Sequence, residues 1–467
     1  MSFVLLARKL GLHPGKRTLT LLVAAGLALT GALPAAAQPA NHNILFLVVD
    51  DLRTWVGYTG EYPGSSIHGP GVYTPAIDAL AAASTRYLNA YTTVPTCAAS
   101  RTSVMFGLSP ATHGLTASAA NFTPEYAALY ADESLVTIPQ VMSANGYHAA
   151  AAGKVFHSQL PARWDETGPP IDYGSFYDPF DPGPDNTWIV PEVLPEGELH
   201  PDQAVADWGA NFIQGYAQSV AGIEGQPFFL ALGFYQPHLP WRVPQAYYDL
   251  YPLEDVVAPS AIPGDLDDVP AAGVDYANAP FIFGLVPQYD AIEAAGVATE
   301  YTRAYLASIS HTDAMVSQVL AALAASPYAS NTSVVFFSDH GYHLGEKFHW
   351  RKNTLWEQSA RVPLLVSSPG NPDYPVGDVT EEVSLLDIAA TVLDLAGLPP
   401  ETQFTGAPLH DALNRSPVEI YLGTGVAQVD AGIKRIDYDT SVSGAGDKER
   451  YDLSSDPQEV ANLIPGC

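Results

Sequence analysis

Cysteine is almost absent from this chain of 467 residues, which contains only Cys97 and Cys467. A small scaffold stapled by disulfide bonds is therefore excluded, because such scaffolds need several cysteine pairs. Cys97 lies inside a local sequence motif and Cys467 is the last residue, so we predict that the two do not form a disulfide bond. A chain of this length instead supports a sizeable core, divided between one large domain and a smaller one.

Basic residues are also scarce, because 20 Lys and Arg face 50 Asp and Glu, for a formal net charge of −30. This balance excludes nucleic-acid binding, which requires a basic surface to meet the phosphates. The charge favours a soluble protein, adapted for example to salty water. An anionic substrate would bind only where a local group of cations opposes the field of the whole chain.

Long apolar runs are confined to the N-terminus. Four basic residues precede an apolar run at 19–33, and Ala35-Ala36-Ala37 then stands before Gln38. This order is typical of a secretory signal peptide, and we place the cleavage after Ala37. A membrane anchor is the alternative, but the run is short for a span and no other segment approaches about 20 apolar residues. The prediction is a secreted or periplasmic protein with no membrane anchor after signal removal.

Short apolar runs rich in branched residues recur along the rest of the chain. The predicted buried strands are 43–49, 227–234, 333–338 and 362–367. The predicted helices are 74–83, 100–106, 304–325 and 384–395. Strands that alternate with helices predict an α/β fold with a large, mostly parallel, doubly wound sheet flanked by helices.

Composition divides the chain into three predicted units. These are a signal peptide at 1–37, a catalytic domain at 38–371 and a small C-terminal α+β subdomain at 372–467. Two polar inserts rich in Pro, Asp and Gly interrupt the catalytic domain at 161–200 and 252–298. Long loops of this kind usually cover a site, so the inserts are expected to shape the substrate pocket.

Acidic residues follow two of the predicted strands. Asp50-Asp51 ends the first strand and Asp339-His340 ends another. The carboxyl ends of parallel strands meet at one edge of an open sheet, so these side chains should converge. Converging carboxylates repel one another unless a cation lies between them, and oxygen ligands favour Ca²⁺ or Mg²⁺. The alternative is that each acid caps the next helix, but acids at two strand ends favour the metal.

The most specific motif lies in segment 95–114, PTCAASRTSVMFGLSPATHG. A lone cysteine before a helix is more often a packing residue, but here C-x-x-S-R is followed by a helical pattern and then by L-x-x-x-x-H-G. With this motif the chain resembles the type I sulfatases of the alkaline phosphatase superfamily. Three further matches resemble the iduronate-2-sulfatase-like members, namely GKVFH at 153–157, QPHLP at 236–240 and the stretch from DHG at 339–341 to Lys352.

The resemblance implies a chemistry for Cys97. In that family a maturase oxidises the cysteine to formylglycine, whose hydrate carries two hydroxyls on one carbon. One hydroxyl attacks sulfur, and ionisation of the other releases sulfate as the aldehyde reforms. The family pattern is usually C-x-P-x-R, whereas Ala99 stands at the third position here. The oxygen-dependent maturase prefers Pro there, and the radical maturase tolerates Ala.

The resemblance also implies the residues of the site. One Ca²⁺ per chain would be held by Asp50, Asp51, Cys97, Asp339 and His340. The implied catalytic residues are Cys97, Arg101, Lys154, His157, His238 and Lys352. Of these, Arg101 and Lys352 would stabilise the formylglycine hydrate and hold the sulfate. Lys154, His157 and His238 would handle protons, and Lys154, His238 and Lys352 would bind the substrate.

The distribution of basic residues supports an anion site independently of the resemblance. Only Arg303 lies between Arg242 and Lys347, yet Lys347, Arg351 and Lys352 then follow within six positions. A chain poor in cations thus places three of them just after the second acidic pair. The alternative is that these three cations lie in a turn exposed to solvent and bind no anion.

The resemblance therefore implies a hydrolase of sulfate esters that acts on a sulfated polysaccharide or oligosaccharide. Two alternatives stay open, a phosphodiester or phosphonate hydrolase on the same scaffold and a non-catalytic carbohydrate-binding relative in which Cys97 is unmodified. The roles of the remaining histidines are less specific. His113, His343 and His349 stay open between structure and site, and His148, His200 and His410 are predicted to be structural or exposed.

Overall fold

The computed structural model describes residues 42–116, 123–158, 160–171, 191–219, 225–279, 288–414, 417–438 and 448–464. The predicted signal peptide and Cys467 lie outside the described residues. Within these ranges, no helix is long and apolar enough to cross a membrane.

The described residues form an alternating series of strands and helices. The strands are β1 Asn43–Val49, β2 Ser65–Ser66, β3 Gly69–Pro70, β4 Thr85–Tyr91, β5 His148–Gly153, β6 Glu166–Thr167, β7 Glu192–Leu194, β8 Phe228–Phe234, β9 Arg242–Pro244, β10 Thr332–Ser338, β11 His343–Leu344, β12 Trp350–Arg351, β13 Arg361–Val362, β14 Leu364–Ser367, β15 Gly377–Ser384, β16 Val418–Leu422, β17 Gly425–Asp430, β18 Ile433–Asp437 and β19 Lys448–Asp452. The α-helices are α1 Pro75–Ala82, α2 Cys97–Phe106, α3 Pro110–His113, α4 Pro124–Ala131, α5 Ile138–Ala144, α6 Pro201–Ser219, α7 Gln245–Tyr248, α8 Ala271–Ala277, α9 Gln288–Ala295, α10 Ala298–Ala324, α11 Glu357–Ala360 and α12 Ile388–Leu395. Short 3₁₀ helices lie at Pro161–Arg163, Leu253–Asp255, Glu346–Phe348, Leu385–Asp387 and Leu409–Asn414.

The largest sheet has the order β13-β4-β14-β10-β1-β8-β5-β6, with β15 also paired to β4. Pairing is parallel between β1 and β10, β1 and β8, β5 and β8, β5 and β6, and β4 and β15. Strands β13 and β14 run antiparallel to their neighbours. The predicted large, mostly parallel sheet is thus confirmed.

Strand β1 shows why its sequence, NILFLVV, is continuously apolar. Successive side chains of a strand point to opposite faces, and both faces of this sheet are covered. Leu45 and Leu47 pack into a core that includes residues of α6 and α10. Ile44 and Phe46 pack into a second core with residues of α2, α5 and α12. The prediction of a doubly wound sheet required helices on both faces of the sheet, and both faces have them.

Some element bounds differ from the sequence prediction. Helix α2 begins at Cys97 rather than at residue 100, because Thr96 before it is extended (φ −156°, ψ 138°) and ends the preceding loop. The predicted strand at 362–367 divides into β13 and β14. Pro363 stands between them, and a proline lacks the N–H that a continuous ladder needs.

The end of the described chain forms a second sheet, in which β16, β17, β18 and β19 pair in antiparallel order. Its apolar side packs on Leu355 and Trp356 together with residues of α8. Strand β15 and helix α12 precede this sheet but belong to the large sheet and its core. The separate four-stranded unit thus begins at Val418, and the domain boundary after residue 371 stays a prediction.

One edge of the large sheet collects the predicted site residues. Strands β1, β8, β5 and β10 are parallel, and β4 has the same direction because β14 runs antiparallel to both β10 and β4. Their carboxyl ends therefore share one edge, where ligands bind in open α/β sheets. The segments after these strands contain Asp50, Cys97, Lys154, His238 and Asp339.

Candidate active site

Cys97 is the first residue of helix α2 and is 4% exposed. The partial positive charge of a helix N-terminus favours an anion at this position. Two hydroxyls fix the helix against the end of β10, because Thr92 Oγ1 and Ser100 Oγ donate to Asp339 O over 2.7 and 2.6 Å. The start of α2 is thereby held at the carboxyl edge of the sheet.

Cationic groups surround the Cys97 thiol. Its Sγ lies 3.0 Å from Lys352 Nζ and 3.2 Å from His340 Nε2. Burial raises the pKa of Cys97, but Lys352, Lys154 and His340 together lower it well below its usual value, helped by a hydrogen bond from His157. The position of residue 97 therefore favours a negatively charged or strongly polarised group.

Three buried carboxylates stand beside the thiol, and each is contacted by a cation. The pairs are Asp50 with Lys154, Asp51 Oδ1 with Lys352 Nζ at 2.5 Å, and Asp339 Oδ2 with Arg101 Nε at 2.7 Å. All three carboxylate residues are at most 1% exposed. Burial raises the pKa of Asp339 to about 6 against the opposing pull of Arg101. Burial also raises the pKa of Asp50, but Lys154, His238 and Arg101 outweigh it and hold that pKa below its usual value.

Four of the buried side chains are arranged as a metal site would require. One ligand atom from each of Asp50, Asp51, Cys97 and His340 lies within 4.8 Å of the others. Asp50 Oδ1 accepts no hydrogen bond from the described residues, and Arg101 Nη2 lies 3.8 Å from it. His340 Nδ1 donates to Gly341 O at 3.0 Å, which turns Nε2 toward the cluster. These donors fit a divalent cation.

Asp339 adjoins this four-residue cluster without being part of it. Its Oδ1 accepts the N–H groups of Asp51 and His340, at 3.2 and 3.0 Å. Asp51 itself has a left-handed backbone, with φ of 62°. Strain of this kind at a non-glycine residue concentrates at functional sites. Asp339 therefore helps to hold the loop that places Asp51 and His340.

Two glycines let Lys154 reach Asp50. Gly153 ends β5 with φ of 74°. A Cβ added to Gly233 of the neighbouring strand β8 would lie 2.1 Å from the Lys154 carbonyl carbon. The backbone can therefore turn across β8 at this point, and Lys154 Nζ lies 4.8 Å above the Tyr235 ring. His157 lies beyond the same turn, where burial lowers its pKa and a hydrogen bond to Cys97 opposes that effect.

His238 follows β8 in a loop shaped by a buried carboxylate. Asp202 accepts the N–H groups of Tyr235 and Gln236, at 2.8 and 2.9 Å. His238 Nδ1 donates to Leu239 O over 2.6 Å, which leaves Nε2 as the ring nitrogen that is not held by this bond. The imidazole also lies 4.6 Å from the Tyr235 ring. The structure thus brings His238, Lys154 and His157 to the cysteine side of the sheet edge.

The segment around Lys352 turns through several left-handed residues. Among them, Arg351 has φ of 83° and Asn353 has φ of 70°. His349 contacts the backbone of this turn, with Nε2 2.8 Å from Lys352 O and Nδ1 2.9 Å from Ala277 O. His349 therefore holds the turn against helix α8 of the second insert.

Lys347, Arg351 and Lys352 were interpreted together as an anion site, and this interpretation is wrong for Lys347. This lysine is buried, its Nζ lies 2.8 Å from Asp265 Oδ1, and it also donates to Glu459 O. It therefore ties the chain end to the second insert. Within the described residues, Lys352 contacts Cys97, and Arg351 lies in electrostatic range of Asp51.

The other histidines have structural contacts. His113 contacts Ser103 Oγ at 2.9 Å, and His343 contacts Thr354 Oγ1 at 2.8 Å. His148 pairs with Glu166 and His410 with Asp394, both part-exposed, and His200 accepts the N–H of Asp202. The predictions for His148, His200 and His410 agree with these contacts.

Sequence reasoning missed two residues of this pocket. The ring of Tyr235 contacts both Lys154 and His238, and the apolar strand before it gave no signal for an aromatic residue in the site. Arg351 was noted only as part of a charged group, although its place next to Lys352 could have singled it out.

The sequence is similar to those of known proteins. The family model described as Sulfatase matches residues 42–398 of the chain. A sulfatase of Formosa agariphila is 32% identical over 445 residues, covering 90% of this chain and 82% of its own. Iduronate 2-sulfatase of Mus musculus is 30% identical over 425 residues, covering 79% of this chain and 72% of its own.

Solved structures share the fold. The phosphonate monoester hydrolase of Agrobacterium radiobacter has a TM-score of 0.66 at 18% identity, covering 90% of this chain and 91% of its own. A protein solved in complex with its substrate D-glucosamine-2-N,6-O-disulfate has a TM-score of 0.62 at 18% identity, covering 91% of this chain and 93% of its own. At these identities the likeness establishes the fold alone. The family match over residues 42–398 and the relative at 32% identity establish more: the chain belongs to the sulfatases, the enzymes that hydrolyse sulfate esters.

Proposed function

We propose that this sulfatase acts on a sulfated polysaccharide or oligosaccharide, with formylglycine at position 97 and one Ca²⁺ per chain. The observation that supports this most strongly is the position of Cys97. It starts helix α2, it is nearly buried, and Lys352 and His340 lie within 3.2 Å of its sulfur. The formylglycine hydrate would supply an oxygen nucleophile and a second hydroxyl whose ionisation releases sulfate.

The cation would be held by Asp50, Asp51, residue 97, Asp339 and His340. The four-residue cluster supports four of these ligands, all but Asp339, and the Asp50 Oδ1 that accepts no hydrogen bond from the described residues supports the same site. Carboxylate oxygens are the ligands that Ca²⁺ prefers. When bound, the cation would lower the pKa of the attacking hydroxyl and offset charge on the sulfate oxygens.

The basic side chains have separate roles in the proposed reaction. Arg101 is buried and orients Asp339. Lys352 and Lys154 remain charged, because nearby carboxylates raise their pKa values despite burial, and both would bind the sulfate. His157 and His238 would move protons, since a neutral imidazole can accept one and an imidazolium can return it to the leaving oxygen.

The proposed substrate class follows from the surroundings of the pocket. A protein of the same fold binds D-glucosamine-2-N,6-O-disulfate as its substrate. In this chain, helices α8 and α9 of the second insert contact the turn that carries Lys352, through His349 and Arg351 respectively. An insert placed there would contact the sugar that bears the scissile sulfate.

The proposal includes export and maturation. The signal peptide at 1–37 would deliver the protein to the periplasm or the medium. Cys97 is 4% exposed in the folded chain. A formylglycine-generating maturase would therefore have to act before folding closes the site.

Sulfate esters are expected to be the preferred substrates over phosphorus esters. The phosphonate monoester hydrolase fold makes the second reaction the natural competitor. The measurement is kcat/KM for matched aryl sulfate, aryl phosphodiester and aryl phosphonate substrates, with a Cys97→Ala variant as the control for contaminating activity. A higher kcat/KM for either phosphorus ester would replace the proposed reaction with the alternative.

Ala99→Pro is expected to raise the fraction of residue 97 that an oxygen-dependent maturase converts. Residue 99 is the third residue of α2, in the first turn, where no backbone N–H has a partner within the helix. A proline there costs the helix no hydrogen bond. The converted fraction is read from the mass of the residue-97 peptide after co-expression with that maturase. An unchanged fraction would show that Ala99 does not limit maturation.

A further inference from the structure

The backbone turn that follows β1 is strained at Asp51, where φ is 62°. A left-handed residue that has a side chain persists only where its surroundings hold it. Asp339 Oδ1 accepts the N–H of Asp51 over 3.2 Å, and Ser338 Oγ accepts the N–H of Leu52 over 3.0 Å. Both contacts come from the end of β10 and act on N–H groups, so neither of them holds the Asp51 carbonyl.

The Asp51 carbonyl is held by Tyr305 of helix α10, 254 positions later in the chain. The Tyr305 hydroxyl donates to Asp51 O over 2.7 Å and accepts the N–H of Arg53 over 3.0 Å. One hydroxyl thus bridges the two ends of the turn from Asp51 to Arg53. Because all three residues are buried, loss of the hydroxyl would remove the partner of two buried backbone groups, which costs more than the loss of an exposed hydrogen bond.

The ring of Tyr305 is fixed by two other segments at the same edge of the sheet. It lies nearly parallel to the Tyr342 ring, with centroids 5.4 Å apart, and edge-on to the Trp241 ring at 5.6 Å. Tyr342 follows His340 after β10, and Trp241 follows His238 after β8. All three aromatic side chains are fully buried. The hydroxyl is therefore presented to the turn after β1 by a ring that also packs against the segments after β8 and β10.

We propose that Tyr305 is a positioning residue for the cation, because its hydroxyl holds the turn that brings the Asp51 carboxylate into the four-residue cluster. Asp51 Oδ1 lies 3.3 Å from His340 Nε2, so a shift of the turn would move one ligand relative to another. The inference rests on the proposed function, since the cation is part of that proposal. Tyr305 acts through the backbone of Asp51, and its effect should therefore appear in the affinity for the cation rather than in the chemical step.

The test is Tyr305→Phe, which deletes one oxygen atom and keeps the ring. The Ca²⁺ dissociation constant is measured by competition of the full-length mature enzyme with a chromophoric Ca²⁺ chelator, and thermal unfolding is followed on the same preparation. The dissociation constant is expected to rise by roughly 10-fold or more, the usual effect of removing a group that orients a metal ligand. Saturating Ca²⁺ should then restore a rate of sulfate release near that of the wild type, because the reacting groups are intact.

Tyr251→Phe is the matched control, because Tyr251 is fully buried in the same core as Tyr305. Its hydroxyl also bridges two partners, with Ser310 Oγ at 2.6 Å and the N–H of Tyr73 at 3.0 Å. The control variant should lower the unfolding temperature, since it loses the same number of buried hydrogen bonds. It should leave the Ca²⁺ dissociation constant unchanged.

Three results would overturn the inference. They are an unchanged dissociation constant in Tyr305→Phe, an equal rise in Tyr251→Phe, and a Tyr305→Phe protein that does not fold, because the hydroxyl would then serve the fold itself. Titration of the wild type separates these results from failure of the proposed function. A wild-type enzyme that binds no divalent cation would overturn the proposed metal, and the inference with it.

Discussion

Chelation of the bound cation is expected to abolish sulfate release, and added Ca²⁺ is expected to restore it. Asp50 and Asp51 are at most 1% exposed, and their ligand atoms lie within 4.8 Å of those of Cys97 and His340. Without a cation, the sulfate of a substrate would meet these buried carboxylates directly. Charge stabilisation by a catalytic metal contributes several kcal/mol, so the loss should be on the order of 10³-fold or more.

Asp51→Asn is expected to lower the rate of sulfate release as much as chelation does, and added Ca²⁺ is not expected to restore the rate. Asparagine tolerates the left-handed backbone of residue 51, so this variant separates the lost charge from backbone strain. Asp290→Asn is the matched control, because Asp290 is exposed on α9. Metal content and rate are measured together on each protein. A demetallated enzyme that keeps its rate would contradict the metal assignment.

Lys154→Ala and His238→Ala are each expected to lower kcat by on the order of 10²-fold or more, the usual worth of one acid/base group. Lys154 contacts Asp50 and its Nζ lies 4.8 Å from the centre of the Tyr235 ring, and the His238 imidazole lies 4.6 Å from the same ring. We propose that both side chains face the leaving oxygen of the substrate. His157→Ala should also lower kcat, by an amount that depends on how much of the proton transfer His238 supplies.

One of these variants is expected to accumulate sulfated enzyme, because loss of the base blocks release of sulfate from residue 97. The measurements are intact mass after mixing with substrate and kcat as a function of pH. Lys448→Ala and His410→Ala serve as controls, since both side chains are part-exposed and pair with Asp437 and Asp394, away from the site. Near wild-type kcat in both Lys154→Ala and His238→Ala would mean that the proton-handling roles belong to other residues.

The sequence predicted the centre of the sheet better than its edges. Strand β1 has the predicted bounds, 43–49, because a strand covered on both faces is apolar throughout. Strand β4, TRYLNAY, was not predicted, because its alternation of buried and part-exposed residues is irregular. Strand β5, HAAAAG, was missed because alanine favours helices and only its pairing with β8 makes it a strand.

The site residues that follow apolar strands could be predicted, because the strand direction fixes where they lie. Asp50, Asp339 and His238 belong to this class. Residues that are placed by long-range packing could not be predicted in this way. Arg351 depends on a left-handed turn and on Gln288, 63 positions earlier in the chain, and no local pattern encodes that contact.

The mass of the peptide that contains residue 97 tests the central claim most directly. The measurement is made on purified protein preparations whose rates of sulfate release differ. The proposed chemistry predicts a peptide lighter than the thiol form by the mass of H₂S less one oxygen, in a fraction that rises in proportion to the rate. Full activity in a preparation in which Cys97 is entirely an intact thiol would contradict it.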